Sequence, residues 1–136
     1  MKSSMKDLFS VKGKTALVTG GSRGIGEMIA AGYLANGVKV YISSRKSDIC
    51  DATAKRLMKE YGGECISIPT DLSTEEGIEF LVKEFSCKEK GLDILVNNAG
   101  ASWGEPLEQY SIKGWDKVMN TNVKGVFFLT QKLLPF

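Results

Sequence analysis

The chain has 136 residues, of which 43% are hydrophobic and 25% charged, and its 18 Lys and Arg residues against 16 Asp and Glu residues leave a net charge of +2. This composition is typical of a folded globular protein. The length suits one domain and excludes a second domain of ordinary size. The nearly balanced charge, without long runs of one sign, argues against a nucleic-acid partner and against an acidic membrane surface as partner.

Two residue types limit the chemistry that the chain can carry. Histidine is absent, which excludes Cys/His zinc sites, histidine-based triads and imidazole acid-base catalysis. The three cysteines, Cys50, Cys65 and Cys87, are an odd number and lie far apart. The sequence therefore predicts reduced thiols and no metal site.

The apolar segments are too short to place the chain in a membrane. The run over residues 28 to 35 is among the longest, and a membrane span needs about 18 residues. Lys2 and Lys6 are not followed by an apolar signal segment. A cytoplasmic protein is expected.

Short apolar runs alternate with helix-sized amphipathic segments. Runs that end at glycines predict strands, and apolar spacing of three and four residues predicts helices. The separation of strands by helices indicates right-handed βαβ units, a parallel sheet and an α/β fold. The predicted strands cover residues 14–19, 38–43, 65–68 and 92–96, and the first and last predicted helices cover residues 27–36 and about 112–134.

Helix ends are predicted from capping residues. Gly37 suits the end of the first helix, and Ser47 is expected to cap the start of the second, which Gly62 and Gly63 end. A Ser-x-x-Glu pattern that starts at Ser73 predicts a capping box before the third helix.

A glycine-rich turn joins the first strand to the first helix. Such a turn needs three glycines, here Gly20, Gly24 and Gly26. One must adopt a positive φ, one must let a ligand approach the backbone closely, and one must let the helix pack against the sheet. The N-terminus of the helix that follows favours a phosphate. The spacing is Gly-x-x-x-Gly-x-Gly, so a tight turn without a ligand remains an alternative. The sequence Gly13-Lys14-Thr15 does not complete a P-loop, because it precedes a strand.

The end of the second strand bears on cofactor choice. In dinucleotide-binding folds an acidic residue there binds the 2′-hydroxyl of NAD, whereas this chain has Ser44 and Arg45. A serine and an arginine bind a 2′-phosphate through charge-assisted hydrogen bonds, and Arg23 lies in the nearby turn. These residues predict NADP(H), with NAD(H) less favoured, although each arginine could also be a solvated surface charge.

Four motifs occur together along the chain. They are Thr-Gly-Gly-Ser-Arg-Gly-Ile-Gly at residues 19–26, Asp71-Leu72, Asn-Asn-Ala-Gly at residues 97–100, and Asn122 within Asn-Thr-Asn-Val-Lys-Gly-Val-Phe at residues 120–127. In this order and spacing they resemble the short-chain dehydrogenase/reductase family, including members similar to 3-oxoacyl reductases. The resemblance implies a Rossmann-like doubly wound sheet in three αβα layers, with strand order 3-2-1-4 for the part present.

The resemblance also implies roles for individual residues. Asp71 and Leu72 would contact adenine, and Asn122 would be the asparagine of a catalytic tetrad, although alone it could be an ordinary polar helix residue. The pocket floor beside the cofactor would be shaped by Asn98, Ala99 and Gly100, where two asparagines could equally mark a simple turn. The cofactor-binding turn would comprise Gly20, Ser22, Arg23, Gly24, Ile25 and Gly26.

One part of the family pattern is absent. Family members use a Ser, a Tyr and a Lys, and none of the four tyrosines here has Lys four positions later. Residues 1–136 are therefore predicted to form a single NADP-binding domain, truncated before the catalytic Ser/Tyr-x-x-x-Lys segment.

The parent enzyme would interconvert a small-molecule carbonyl, such as a 3-oxoacyl thioester or a sugar ketone, and an alcohol. It would form a dimer or tetramer through the long C-terminal helix. A non-catalytic nucleotide-binding or interaction protein and a truncated gene product are the alternatives.

Overall fold

One parallel sheet of four strands forms the centre of the molecule. The computed structural model describes residue 5 and residues 7 to 136, so the expectation for Lys2 and Lys6 lies outside the described residues. The strand order is β3-β2-β1-β4, which confirms the predicted order. Leu17 in the central strand lies opposite both Tyr41 and Leu95. The strands are β1 (Thr15–Thr19), β2 (Lys39–Ser43), β3 (Cys65–Ser67) and β4 (Ile94–Val96).

Helices cover both faces of the sheet, as the α/β prediction requires. Side chains alternate between the faces along a strand, so Ala16 and Val18 pack in the core beneath α1 and α2, while Leu17 joins the opposite core with α3 and α5. No helix in the described part of the chain is both long enough and apolar enough to span a membrane. The helices are α1 (Gly24–Ala35), α2 (Ser47–Tyr61), α3 (Glu75–Ser86), α4 (Ile112–Met119) and α5 (Gly125–Leu133), with a 3-10 turn at Leu107–Gln109.

Both predicted serine caps are wrong. Ser47 is the first residue of α2, and the cap position is Lys46, whose side chain makes no capping hydrogen bond. The cap of α3 is Thr74, whose hydroxyl accepts from the Gly77 amide at 3.1 Å. Ser73 instead donates its hydroxyl proton to the Asp71 carboxylate at 2.7 Å. The helix starts one residue later than the pattern indicates, so the Thr74 hydroxyl, rather than that of Ser73, is placed to accept from the first turn.

The two edge strands are shorter than predicted. β4 begins at Ile94, because the Leu92 amide donates to the carbonyl of Phe136 at 3.2 Å rather than to a strand. β3 ends at Ser67, although the Ile68 amide still donates to the carbonyl of Ile42 in β2 at 2.9 Å. The first helix, in contrast, begins three residues earlier than predicted, at Gly24.

The predicted long C-terminal helix is present, but it is not uniform. A π-helical turn of five residues, Asn120–Lys124, separates α4 from α5. A turn of this kind holds one more residue than an ordinary helical turn and so shifts every later side chain around the helix axis. The shift determines which side chains of this helix reach the sheet.

A half-buried polar cluster ties the amino end of β2 to the segment after α3. The Tyr41 hydroxyl donates to the Glu89 carboxylate at 2.7 Å, and the Lys39 ammonium lies 2.6 Å from the same carboxylate. Burial alone would raise the pKa of Glu89, but the hydrogen bonds from Lys39 and Tyr41 outweigh it and lower that pKa. Burial and the bond to Glu89 raise the pKa of Tyr41 to about 12.

We expect Glu89→Gln to lower the free energy of unfolding by about 1–2 kcal/mol at neutral pH, because two charge-assisted hydrogen bonds lose their charge. A lowered pKa stabilises the fold above the unfolded value of about 4.3, and this contribution disappears as the pH falls through the folded pKa. The difference between the two proteins should therefore shrink in acid. Urea denaturation at pH 7 and pH 3 measures it. Glu84→Gln, in an exposed pair with Lys88, is the control and should change little.

Candidate functional site

A cavity of about 520 Å³ opens at the carboxyl ends of the strands. The chain leaves β1 toward β2 on one side, while β4 lies on its other side, so the cavity sits where the strand order reverses. Ligands of open α/β sheets bind at this position. The lining residues are Gly20, Ser22, Arg23, Ser43, Ser44, Arg45, Lys46, Ile49, Thr70, Asp71, Leu72, Asn98, Ala99, Gly100, Ala101 and Thr121.

The three glycines predicted from the motif each meet a geometric requirement of the turn. Gly20 and Gly24 have φ values of +64° and +59°, a region that other residues rarely adopt. A Cβ on Gly26 would lie closer than 3.0 Å to the carbonyl oxygen of Gly20. The turn thus brings the first turn of α1 against the end of β1, and no side chain caps that helix. Its free amides are available to an anion.

Positive charge and unpartnered hydroxyls meet at the end of β2. Arg23 and Arg45 both line the cavity, and none of the ion pairs within residues 7–136 includes either of them. The buried hydroxyl oxygens of Ser43 and Ser44 have no hydrogen-bond partner in the described part of the chain. Lys46, which the sequence analysis did not select, adds a third cation. This end of the cavity therefore offers donors and positive charge suited to a phosphate.

Four hydrogen bonds, two in each direction, join the end of β1 and the glycine turn to the loop after β4. The Thr19 hydroxyl accepts from the amides of Asn98 and Ala99, both at 3.0 Å. The Asn98 side-chain amide donates back to the carbonyls of Thr19 at 3.0 Å and Gly20 at 3.3 Å. Thr19 is 2% exposed and was missed as a site residue, although it belongs to the first motif. Together these bonds fix the cavity floor.

The segment after β3 forms a further wall. Asp71 and Leu72 line the cavity, together with Thr70, which no sequence motif indicates. The Asp71 carboxylate accepts from the Ser73 amide at 3.0 Å, in addition to the Ser73 hydroxyl. Its orientation is therefore fixed by the following turn.

Four predicted site residues do not line the cavity. Gly24, Ile25 and Gly26 lie in the first turn of α1, and the Ile25 side chain is 70% exposed beside the opening. Asn122 lies in the π-helical turn, where its amide donates to the Ala101 carbonyl at 2.9 Å and accepts from the Ala101 amide at 2.8 Å. Asn122 thus holds the loop that borders the cavity rather than facing the cavity itself.

The cysteines lie away from the cavity. Cys50 and Cys65 are buried, Cys87 is exposed, and all three are free. Burial raises the pKa of Cys65 to about 12, so its thiol stays protonated. The described residues contain no group of three acidic or cysteine side chains that could hold a metal ion.

The chain as a whole is similar to known proteins. A family model described as short chain dehydrogenase matches residues 14–136. The chain belongs to the short-chain dehydrogenase family. It is 51% identical over 131 residues to the rhamnolipids biosynthesis 3-oxoacyl-[acyl-carrier-protein] reductase of Pseudomonas aeruginosa, covering 96% of this chain and 50% of that protein. It is 38% identical to the gluconate 5-dehydrogenase of Gluconobacter oxydans, covering 92% of this chain and 48% of that protein.

Solved structures of short-chain dehydrogenases have the same fold. The Pseudomonas aeruginosa RhlG/NADP active-site complex superposes with a TM-score of 0.88 at 53% identity, over 93% of this chain and 49% of that one. L-sorbose reductase from Gluconobacter frateurii, complexed with NADPH and L-sorbose, superposes with a TM-score of 0.89 at 30% identity, over 93% and 48%. This chain spans about half the length of the relatives it matches.

Proposed function

We propose that this chain is the cofactor-binding part of an NADP(H)-dependent short-chain dehydrogenase/reductase that interconverts a small-molecule carbonyl and an alcohol. The observation that carries the proposal is that Arg23, Arg45 and the Ser44 hydroxyl, which has no partner among the described residues, line the same cavity. A 2′-phosphate needs donors and positive charge at that place, and an NAD-selective site has a carboxylate there.

The other parts of NADP(H) match the remaining walls. The uncapped N-terminus of α1 faces the glycine turn and suits the pyrophosphate, close to Ser22 and Gly20. The adenine would lie against Asp71 and Leu72, as the family resemblance implies. When bound, the nicotinamide ring supplies the hydride. The NADP and NADPH complexes of the structural relatives support this assignment.

Calorimetry tests the cofactor assignment directly. Two charge-assisted contacts to the 2′-phosphate, at about 1.5–3 kcal/mol each, should make NADPH bind at least about tenfold more tightly than NADH. Equal affinities for the two cofactors would contradict the proposal.

The proposed substrate is a small molecule with a ketone group, either a 3-oxoacyl thioester or a sugar ketone. The 3-oxoacyl-[acyl-carrier-protein] reductase among the relatives supports the first class. The gluconate 5-dehydrogenase and the L-sorbose reductase support the second. Asn122 would serve the reaction by holding Ala101 and the adjoining cavity border in place. The competing function is nucleotide binding without catalysis.

A polypeptide of these 136 residues should bind NADPH but reduce no ketone. Hydride transfer to a carbonyl needs a proton donor, the chain has no histidine, and the Asn122 amide has no titratable proton. Loss of NADPH absorbance at 340 nm, followed with a panel of 3-oxoacyl and sugar ketones, measures turnover. Substrate-dependent oxidation above the rate without protein would show that another residue of this chain supplies the proton.

We also propose that the protein is cytoplasmic and self-associates through α4 and α5. The three free thiols support a reducing compartment. Ile112, Trp115 and Phe127 are exposed along the helix, and an apolar face of this kind favours association. The dimer or tetramer predicted from the sequence would cover it.

Phe127→Asp should therefore shift the protein to a smaller species in light scattering. The Phe127 side chain is 62% exposed and packs edge-on against Phe128, with 5.2 Å between ring centroids. Phe9→Asp is the matched control, since Phe9 is 85% exposed on another surface. An equal change in mass with both variants would argue against an interface at α5.

A further inference from the structure

The π-helical turn between α4 and α5, with the glycine that follows it, contacts the cavity or its walls at three separate points. Thr121 lines the cavity, and Asn122 holds Ala101 through its two hydrogen bonds. Directly after the turn, Gly125 is buried against the backbone of Leu72. One short segment of helix therefore contacts both the loop after β4 and the segment after β3.

The contact with Leu72 requires a glycine at position 125, whereas the backbone angles at this position do not. Its φ of −60° and ψ of −44° are ordinary helical values that any residue adopts. A Cβ built on it would lie closer than 3.0 Å to the carbonyl oxygen of Leu72, a separation that real Cβ atoms essentially never show. The glycine therefore allows α5 to approach Leu72 more closely than any other residue could.

A second helix, α3, packs in the same way against the segment after β3 that contains Asp71 and Leu72. Gly77, in the first turn of α3, is also buried, and its Cβ would lie closer than 3.0 Å to the carbonyl oxygen of Asp71. The Thr74 hydroxyl donates to that carbonyl at 3.0 Å. Asp71 and Leu72 are thus held between two helices at backbone distance. Their position against the cavity depends on how closely those helices approach.

We propose that Gly125 is a positioning residue for the adenosine end of the cofactor, because its contact with Leu72 sets the distance between that wall and Thr121. The inference rests on the proposed binding of NADP(H) in this cavity. An added methyl group must push α5 and Leu72 apart, which displaces Leu72 and the preceding π-helical turn together. The glycine turn at Gly20 is held by β1 and the Asn98 side chain, and the π-helical turn reaches the loop after β4 only at Ala101, so the glycine turn moves less.

The test uses two variants, Gly125→Ala and its control Gly32→Ala. Each folded protein is titrated by NMR with two ligands, 2′,5′-ADP and reduced nicotinamide mononucleotide. Gly32 is an exposed helical glycine in α1 with nothing within 4 Å of its would-be Cβ. We expect Gly125→Ala to weaken 2′,5′-ADP about tenfold and the mononucleotide much less. Gly32→Ala should change neither. Unchanged 2′,5′-ADP binding in Gly125→Ala, or equal weakening of both ligands, would overturn the inference.

Thr121 provides a second route if Gly125→Ala does not fold. Thr121 is half-buried and lines the same cavity, so Thr121→Leu should narrow the adenosine end and weaken 2′,5′-ADP, with Gly32→Ala again as the control. An unchanged affinity in Thr121→Leu would contradict the assigned wall. Failure of the parent protein itself to bind 2′,5′-ADP would instead contradict the proposed function.

Discussion

Replacing Ser44 with aspartate should turn the cofactor preference from NADP(H) toward NAD(H). The Ser44 hydroxyl is buried without a partner next to Arg45, at the carboxyl end of β2. A carboxylate there would repel a 2′-phosphate and could accept hydrogen bonds from the ribose hydroxyls of NAD. We expect NADPH affinity to fall at least about tenfold and NADH affinity to rise, both measured by calorimetry.

Ser44→Ala separates the two effects of that change. It removes the hydroxyl donor without adding a negative charge, so NADPH binding should weaken by less than in Ser44→Asp and NADH binding should not improve. Arg23 and Arg45 remain in place in both variants, so any difference between them reports the added charge. If Ser44→Asp kept a tenfold preference for NADPH, the 2′-phosphate would have to bind away from the end of β2.

The alternation of strands and helices was predictable because it depends on local patterns. Apolar runs that end in glycine mark the strands, Gly37 and Gly62 have positive φ at the helix ends where the sequence places them, and the strand order followed from the family motifs. The cap positions, Lys46 and Thr74, could not be predicted in the same way. Ser73 and Thr74 both carry a hydroxyl, and a short pattern does not show which of two adjacent hydroxyls will accept from the helix.

The missed residues of the site depend on contacts between distant segments. Lys46 and Thr70 line the cavity because α2 and the segment after β3 begin beside it, which sequence spacing does not show. The π-helical turn that brings Thr121 to the wall accompanies the contacts of Asn122 with Ala101 and of Gly125 with Leu72. These contacts join residues more than twenty positions apart, so the helix pattern alone predicted an unbroken helix.

Three glycine substitutions form a series that tests how the turn after β1 is built. Gly32→Ala, in open space on α1, should stabilise the protein by up to about 1 kcal/mol through helix propensity. Gly24→Ala, with φ of +59° and no neighbour within 4 Å, should cost about 1–2 kcal/mol from backbone strain alone. Gly26→Ala differs from both because its methyl group has no space.

Gly26→Ala should cause the largest loss of the series, about 3–5 kcal/mol of unfolding free energy together with loss of NADPH binding. The added methyl group would meet the Gly20 carbonyl and the Asn98 side-chain amide. That amide holds the Thr19 and Gly20 carbonyls, so moving it leaves buried acceptors without a donor. Urea denaturation and calorimetry measure the two losses. A Gly26→Ala protein as stable as Gly24→Ala would mean that α1 can move away from β1 at little cost, and the phosphate site would then not depend on this contact.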